Sequence, residues 1–353
     1  MNKKQWIGKI SVLILFVWLL VGCGGGETET ADSPTIAATT EPVSPTDTPQ
    51  PEPTETAVPP TATLEPTDAP VEEVGEETAV EEEIQEEAPP PPYEIISNVP
   101  YIDDGEEKHL LDIYLPNEVR EPVTTLFMVH PGGFSQGMKE WMFPFANHFA
   151  SAGYAVVSIN YRLVPDFIYP SQQQDTFCAL AWLHNQAAEY GLDAERIVAF
   201  GYSAGSVLVN LVGTIDDPTP YLVDCPHSLP ESDWVRGTIS LAGRGDLTLY
   251  PELEENIAVL GGSYAEVPEL WQEASAVNYV DGSERPFLVA RGTVDELILE
   301  SDFVAFATAL DEAGVSVTVD PIPDAGHFFA VEFDSEQTLH FLAVAEAFLA
   351  ELP

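Results

Sequence analysis

From Tyr93 to the C-terminus the chain alternates short β-branched runs with helical patterns, and few folds accommodate that alternation. "YEIISNVPYI" and "HLLDIYLP" read as an opening antiparallel pair. "TTLFMVH", "YAVVSINY", "RIVAFGY", "VRGTISLA", "PFLVARG" and "VSVTVDPI" follow, several without polar alternation, as strands covered on both faces require. Helical patterns fall at 139–151, 171–190, 204–213, 268–276, 300–313 and 335–351, with Gly191 and Gly314 as stop signals. The alternation predicts an α/β fold, an open and mostly parallel central sheet with helices on both faces. Ligands of such sheets sit beyond the carboxyl ends of the strands.

One of those carboxyl ends is "IVAFGYSAGSVLVNLVG", residues 197–213, which starts as a strand and ends as a helix. Ser203 stands at the changeover. A sharp strand-to-helix turn needs small residues two before and two after the serine so that the backbones can approach, and Gly201 and Gly205 supply both. The resulting G-x-S-x-G elbow holds a serine hydroxyl exposed in a strained conformation, which is how a nucleophile is presented. The alternative for so short a motif is a small residue in a tight turn; the strand before it and the helix after it favour the nucleophile.

Together with "LDIYLP", "HPGGF", "NYRL", "WLHNQAAEYGLDAERIVAFGYSAGS", "GTVDE" and "AGH", in that order, the elbow resembles the α/β-hydrolases. Within them it is similar to the hormone-sensitive-lipase-like or BD-FAE-like (feruloyl-esterase-type) serine esterases. The resemblance runs through nearly the whole folded part and is specific for fold and machinery, much less so for substrate. It implies a triad in the chain order Ser, Asp or Glu, His. A serine hydroxyl is a poor nucleophile until an oriented base takes its proton. On this pattern the base is His327 in "IPDAGHFF", after the last strand and before the last helix. His109, His148, His184, His227 and His340 have no such motif around them. The acid is Asp295 in "FLVARGTVDELI", with Glu296 and Asp324 as the nearest competitors.

Acyl transfer also needs donors aimed at the developing oxyanion. The resemblance assigns them to the backbone N–H groups of Ala204, Gly132 and Gly133. The usual family motif is H-G-G-G, and here Pro131 takes the first glycine position. Proline has no N–H, but the family's donors are the second and third glycines, so the hole is expected to survive. His130 is expected to orient this loop. Phe134, Trp141, Met142, Phe328 and Phe329 are candidate pocket walls, with plain core as the alternative for each. Tyr161, Arg162 and Asp175 are expected to brace the fold.

Ahead of Tyr93 the sequence changes character. "MNKKQWIGKISVLILFVWLLVGC" has a basic start and an apolar run from Ile10 to Val21, too short for a comfortable membrane span and patterned as a secretory signal. Its end, Leu20-Val21-Gly22-Cys23, resembles the bacterial lipobox, which implies a signal peptide over 1–22 and a lipidated Cys23. An uncleaved anchor is the alternative. Residues 23–92 are rich in Pro, Thr and Glu without apolar periodicity, the composition of a disordered tether. The hydrolase domain is then 93–353, exported and held at the membrane only by lipid.

With Cys23 set aside, Cys178 and Cys225 remain, and outside the cytoplasm such a pair is a candidate disulfide. The chain carries 59 acidic against 12 basic residues, a net charge of −47, so nucleic-acid backbones are not expected partners. No His, Cys and carboxylate spacing suggests a metal site, and neither metal nor cofactor is expected. The expected activity is hydrolysis of a small-molecule or glycan-linked carboxylic ester through an acyl-enzyme. A formamidase or amidase with the same triad is one alternative. An inactive hydrolase fold kept as a binding module is another, disfavoured because no triad member is missing.

Overall fold

The computed structural model describes residues 90–118 and 123–353. The signal peptide, Cys23 and nearly all of the tether lie outside the described residues.

Eight strands are described: β1 (Tyr93–Pro100), β2 (Leu110–Pro116), β3 (Thr125–Val129), β4 (Ala155–Ile159), β5 (Ile197–Tyr202), β6 (Gly237–Leu241), β7 (Phe287–Gly292) and β8 (Val317–Ile322). They form one sheet in the order β1-β2-β4-β3-β5-β6-β7-β8. The pairs β1/β2 and β2/β4 are antiparallel, and every pair from β4/β3 to β7/β8 is parallel. The expected opening antiparallel pair is therefore stitched onto a parallel sheet through β4.

The described residues also hold seven α-helices: α1 (Phe143–Ser151), α2 (Ser171–Gln186), α3 (Ala204–Thr214), α4 (Glu254–Leu260), α5 (Pro268–Glu273), α6 (Glu300–Ala313) and, after the last strand, α7 (Glu336–Glu351). The pattern over 139–151 splits into a single 3-10 turn, Lys139–Met142, and α1, because Pro144 fits only the first turn of an α-helix. The second pattern ends as α-helix at Gln186 and tightens into a 3-10 turn before Gly191, which caps it in the left-handed region at φ 69°. Helix α4 answers to no sequence expectation. Its two turns are too short for periodicity to register.

Because successive side chains alternate across a strand, each central strand feeds two cores. In β3, Phe127 and Val129 join one layer while Leu126 and Met128 join the other. The first layer is closed by Phe177, Leu180 and Leu183 of α2, Val207 and Leu211 of α3, and Phe306 and Leu310 of α6. The second is closed by Phe145 and Phe149 of α1 and by Phe341, Ala345 and Phe348 of α7. Fully buried side chains such as Phe341 anchor these layers, and truncating one to alanine costs about 3–5 kcal/mol.

Two further devices fix the frame. Lys139, only 2% exposed, pairs with Asp112 Oδ1 at 3.1 Å and with Glu140, while its backbone N–H donates to Asn160 Oδ1 at 2.7 Å. Cys178 in α2 and Cys225 in the irregular stretch between α3 and β6 are joined by a disulfide. That stretch is also held by Asn185 Nδ2 donating to the carbonyl of Ser228 at 2.7 Å.

Candidate active site

Ser203 caps β5 at the carboxyl edge of the parallel sheet, with φ 55° and ψ −117°. A non-glycine residue held there stores about 1–3 kcal/mol of strain, so the surroundings must enforce it. The Ser203 N–H donates to the carbonyl of Leu241 at 2.9 Å. Ser206 Oγ donates to the carbonyls of Gly201 and Leu241 at 2.5 and 2.8 Å. The flanking glycines are demanded by proximity: a Cβ on Gly201 would sit 2.3 Å from the carbonyl oxygen of Gly205, and one on Gly205 2.1 Å from that of Val129. The elbow is as tight as its sequence implies.

Ser203 Oγ lies 2.8 Å from His327 Nε2, and His327 Nδ1 lies 2.9 Å from Asp295 Oδ2. His327 follows β8 and Asp295 follows β7, so three strand ends converge on one chain of hydrogen bonds. Both partners of the pair are buried, the side chains 5% and 0% exposed. Burial pushes the Asp295 carboxyl up, but hydrogen bonding from His327, its charge, and the N–H groups of Ile298 and Leu297 outweigh this and hold it below the usual range. An ionised Asp295 can only accept, so Nδ1–H donates to it, and a neutral imidazole so held turns its Nε2 lone pair to the Ser203 hydroxyl. Glu296 and Asp324 are both exposed, and the five other motif-free histidines pair elsewhere. His109 bonds Asp104, His148 Glu346, His184 the carbonyl of Trp234, His227 that of Tyr101, and His340 Asp320.

The loop after β3 runs through positive φ at Gly132 (132°), Gly133 (59°) and Phe134 (61°). Its turn is closed by Ser135 and Gln136 N–H groups on the carbonyl of Gly132. The N–H groups of Gly132, Gly133 and Ala204 meet no acceptor among the described residues, the condition for serving an external oxyanion. His130 lies beneath them, fully buried. Its Nδ1 donates to the carbonyl of Pro131 at 2.7 Å, and its ring stacks on Tyr161 at 4.1 Å. Burial drives its imidazole down to about 4, so it is neutral and shapes the loop rather than exchanging protons. Tyr161 donates to the carbonyl of His130 at 3.0 Å, and Arg162 is clamped on Asp175, which fits their bracing role.

The expected pocket walls divide. Phe134 and Met142 are core residues, 2% and 0% exposed, with no surface to offer a substrate. Trp141 and Phe328 are open at 45% and 67%, and Phe329 is half-buried against the second core layer.

Several positioning contacts have no motif to announce them. Tyr202 donates its hydroxyl to the carbonyl of His327 at 2.6 Å. Arg291, buried, donates through Nη2 to the carbonyl of Asp295 at 2.8 Å and through Nε to that of Ile298 at 2.7 Å. Buried Asp302 accepts from the N–H groups of Gly245 and Asp246 and from Tyr250, whose hydroxyl accepts the Leu299 N–H. Burial raises the Asp302 carboxyl to about 6 despite those donors. Tyr202 and Arg291 stand within strands and Asp302 within α6, and no motif around any of them points to the site. Among the described residues no cluster of His, Cys, Asp and Glu is placed to hold a metal ion.

The family model BD-FAE matches residues 111–310. Esterase LipQ of Mycobacterium tuberculosis is 30% identical over 264 residues, which cover 71% of this chain and 60% of that protein. Carboxylesterase NlhH of the same species is 36% identical over 111 residues, 30% of this chain and 35% of that one. The chain thus spans less than two thirds of the length of these curated relatives. Among solved structures, a truncated form of a carbohydrate esterase from gut microbiota superposes with a TM-score of 0.64 at 23% identity, covering 74% of this chain and 98% of that one. Esterase B from Lactobacillus rhamnosis superposes with a TM-score of 0.64 at 22% identity, covering 73% and 85%. At such identities the likeness is one of fold.

Proposed function

The chain belongs to the BD-FAE family, and from that premise we propose that it is a serine carboxylic-ester hydrolase working through Ser203, His327 and Asp295. The observation that carries this reading is the unbroken hydrogen-bond chain from Ser203 Oγ through His327 to Asp295, at 2.8 and 2.9 Å.

Ser203 Oγ attacks the acyl carbon as His327 Nε2 takes its proton, and the carbonyl oxygen becomes an oxyanion held by the N–H groups of Gly132, Gly133 and Ala204. Each such donor is worth about 3–4 kcal/mol in this kind of reaction. The alcohol leaves with the proton from Nε2. A water then gives its proton to Nε2 and attacks the acyl-enzyme, and collapse of the second oxyanion returns the proton to Ser203 and frees the acid. Asp295 keeps Nδ1 protonated throughout and stabilises the imidazolium at each peak. The substrate is a small-molecule or glycan-linked ester.

Ser203→Ala should fold normally and lose at least about 10³-fold in hydrolysis of 4-nitrophenyl acetate, and a fluorophosphonate should label the native enzyme at Ser203. Labelling at another residue, or a Ser203→Ala enzyme that still turns over, overturns the reading. Export and lipid attachment at Cys23 belong to the same proposal and rest on the sequence. Cys23→Ser should move the mature protein out of the membrane fraction, and a cleaved variant that stays there overturns the anchor.

A further inference from the structure

Helix α4, the element with no sequence signal, brings an acidic side chain against the oxyanion loop. A Cβ placed on Gly133 would meet Glu255 Oε1 at 2.9 Å, so the carboxylate lies against the backbone there. Glu255 Oε2 is taken by Arg244 Nη2 at 3.0 Å, and Arg244 Nη1 donates to Asn256 Oδ1 at 3.2 Å. The guanidinium sits 5.3 Å over the ring of Tyr250. Arg244 is 5% exposed and Glu255 42%, so one end of the pair is fixed in the protein and the other opens to solvent. Oε1 accepts no hydrogen bond from a described residue, and Arg244 Nε and Asn256 Nδ2 are buried without partners.

We infer that Glu255, fixed by Arg244 beside Gly133, is a charge filter that favours neutral or cationic ester substrates and turns away anionic ones. The inference rests on the ester-hydrolase reading. A substrate whose carbonyl reaches Gly133 has its neighbouring atoms close to Oε1, the free negative end of the pair. Arg244 offsets that end only in part, because it sits on the far oxygen, inside the protein, while Oε1 is the oxygen against Gly133. The pairing has a second effect: it compensates a carboxylate that would otherwise oppose the oxyanion. Two charges several ångströms apart near a protein surface interact by a kilocalorie or more, enough for about a tenfold preference. Replacing Glu255 by glutamine keeps the shape, removes the negative end and leaves Arg244 uncompensated. The sign of the filter should then reverse.

The test compares kcat/KM for phenyl acetate, 4-acetoxybenzoate and 3-(trimethylammonio)phenyl acetate, which put charge on the alcohol side. 4-Nitrophenyl hemisuccinate against 4-nitrophenyl acetate puts it on the acyl side. In Glu255→Gln the anionic-to-neutral ratio should rise about tenfold on at least one side, with the cationic-to-neutral ratio falling where that side is the alcohol. Glu312→Gln, an exposed carboxylate on α6, serves as control for the domain's overall acidity and should move neither ratio. Glu255→Asp, which keeps the charge, guards against misfolding of the glutamine variant and should retain the native preference. Ratios within twofold of native in a folded Glu255→Gln, an equal fall on all substrates, or the same shift in Glu312→Gln each overturn the filter. A native enzyme inert towards every ester in the panel overturns the ester reading instead.

Discussion

Tyr202 and His327, 125 residues apart, are joined by a hydrogen bond of 2.6 Å from the tyrosine hydroxyl to the histidine's own carbonyl. The residue that precedes the nucleophile thus holds the backbone of the base, so the elbow and the histidine loop move as one piece. Tyr202→Phe leaves that carbonyl unpaired in a buried place, at a cost of about 1–3 kcal/mol. We expect kcat to fall about three- to tenfold with KM little changed, since only the Ser203–His327 alignment is loosened. Steady-state kinetics beside a melting curve check this. A stability loss without a change in kcat would reduce the contact to packing.

Arg291 acts on the third triad member. Its guanidinium grips both ends of the loop from Asp295 to Ile298 through their carbonyls. Arg291→Lys keeps the charge but cannot reach both oxygens from one ammonium. The rate of fluorophosphonate labelling at Ser203 should drop about tenfold while KM holds. An unchanged labelling rate shows that Asp295 is positioned by Leu297 and Ile298 alone.

The disulfide closes a loop of 47 residues. Cross-linking a loop of that length removes about 4 kcal/mol of chain entropy from the unfolded state. The double variant Cys178→Ala, Cys225→Ala should lose about 2–4 kcal/mol and keep its ester hydrolysis at room temperature, because the bond joins α2 to the stretch between α3 and β6 and includes no residue of the triad or the oxyanion loop. Denaturant titration of the variant decides it, and a midpoint equal to the native one contradicts the estimate.

His130 makes acid sensitivity specific. Its folded value, about 4, lies below the ordinary 6.5 because burial disfavours the imidazolium, against the hydrogen bond to Pro131. A lowered histidine contributes stability that is present above its unfolded value and lost as pH falls toward the folded one. Between pH 7 and 5 this amounts to about 2 kcal/mol. Asp302 works the other way, its raised carboxyl adding stability on acidification from about 6. His130→Asn should therefore be less stable at pH 7 yet show a flatter fall to pH 5, read by thermal unfolding across that range. Parallel profiles for native and variant would remove His130 from the account.

What the sequence disclosed follows from how local each signal is. The five inner strands were legible because a doubly covered strand must be a short unbroken apolar run, as in "TLFMV" and "AVVSI". Ser203, Gly201 and Gly205 were legible because the close approach of Gly201 to Gly205 and of Gly205 to Val129 admits no side chain. His327 and Asp295 needed the family pattern, since nothing near either residue in the chain says that they meet. Phe134 and Met142 went to the core because an aromatic or Met beside a motif looks the same whether it faces a substrate or a neighbour. Arg244, Glu255 and Arg291 were silent for a different reason. Their partners are a helix of seven residues and bare carbonyls, neither of which leaves a trace in composition or spacing.

The burial of Lys139 bears on how the protein can be handled. The described residues hold two lysines, and Lys139 keeps its amine inside, against Asp112 and Glu140. Lys108 remains, half-buried but without an ion-pair partner among the described residues. Amine-directed conjugation of the folded part, to a dye, a bead or a cross-linker, is thereby confined to one side chain on the connection between β1 and β2. Copies coupled through that side chain would all face the same way.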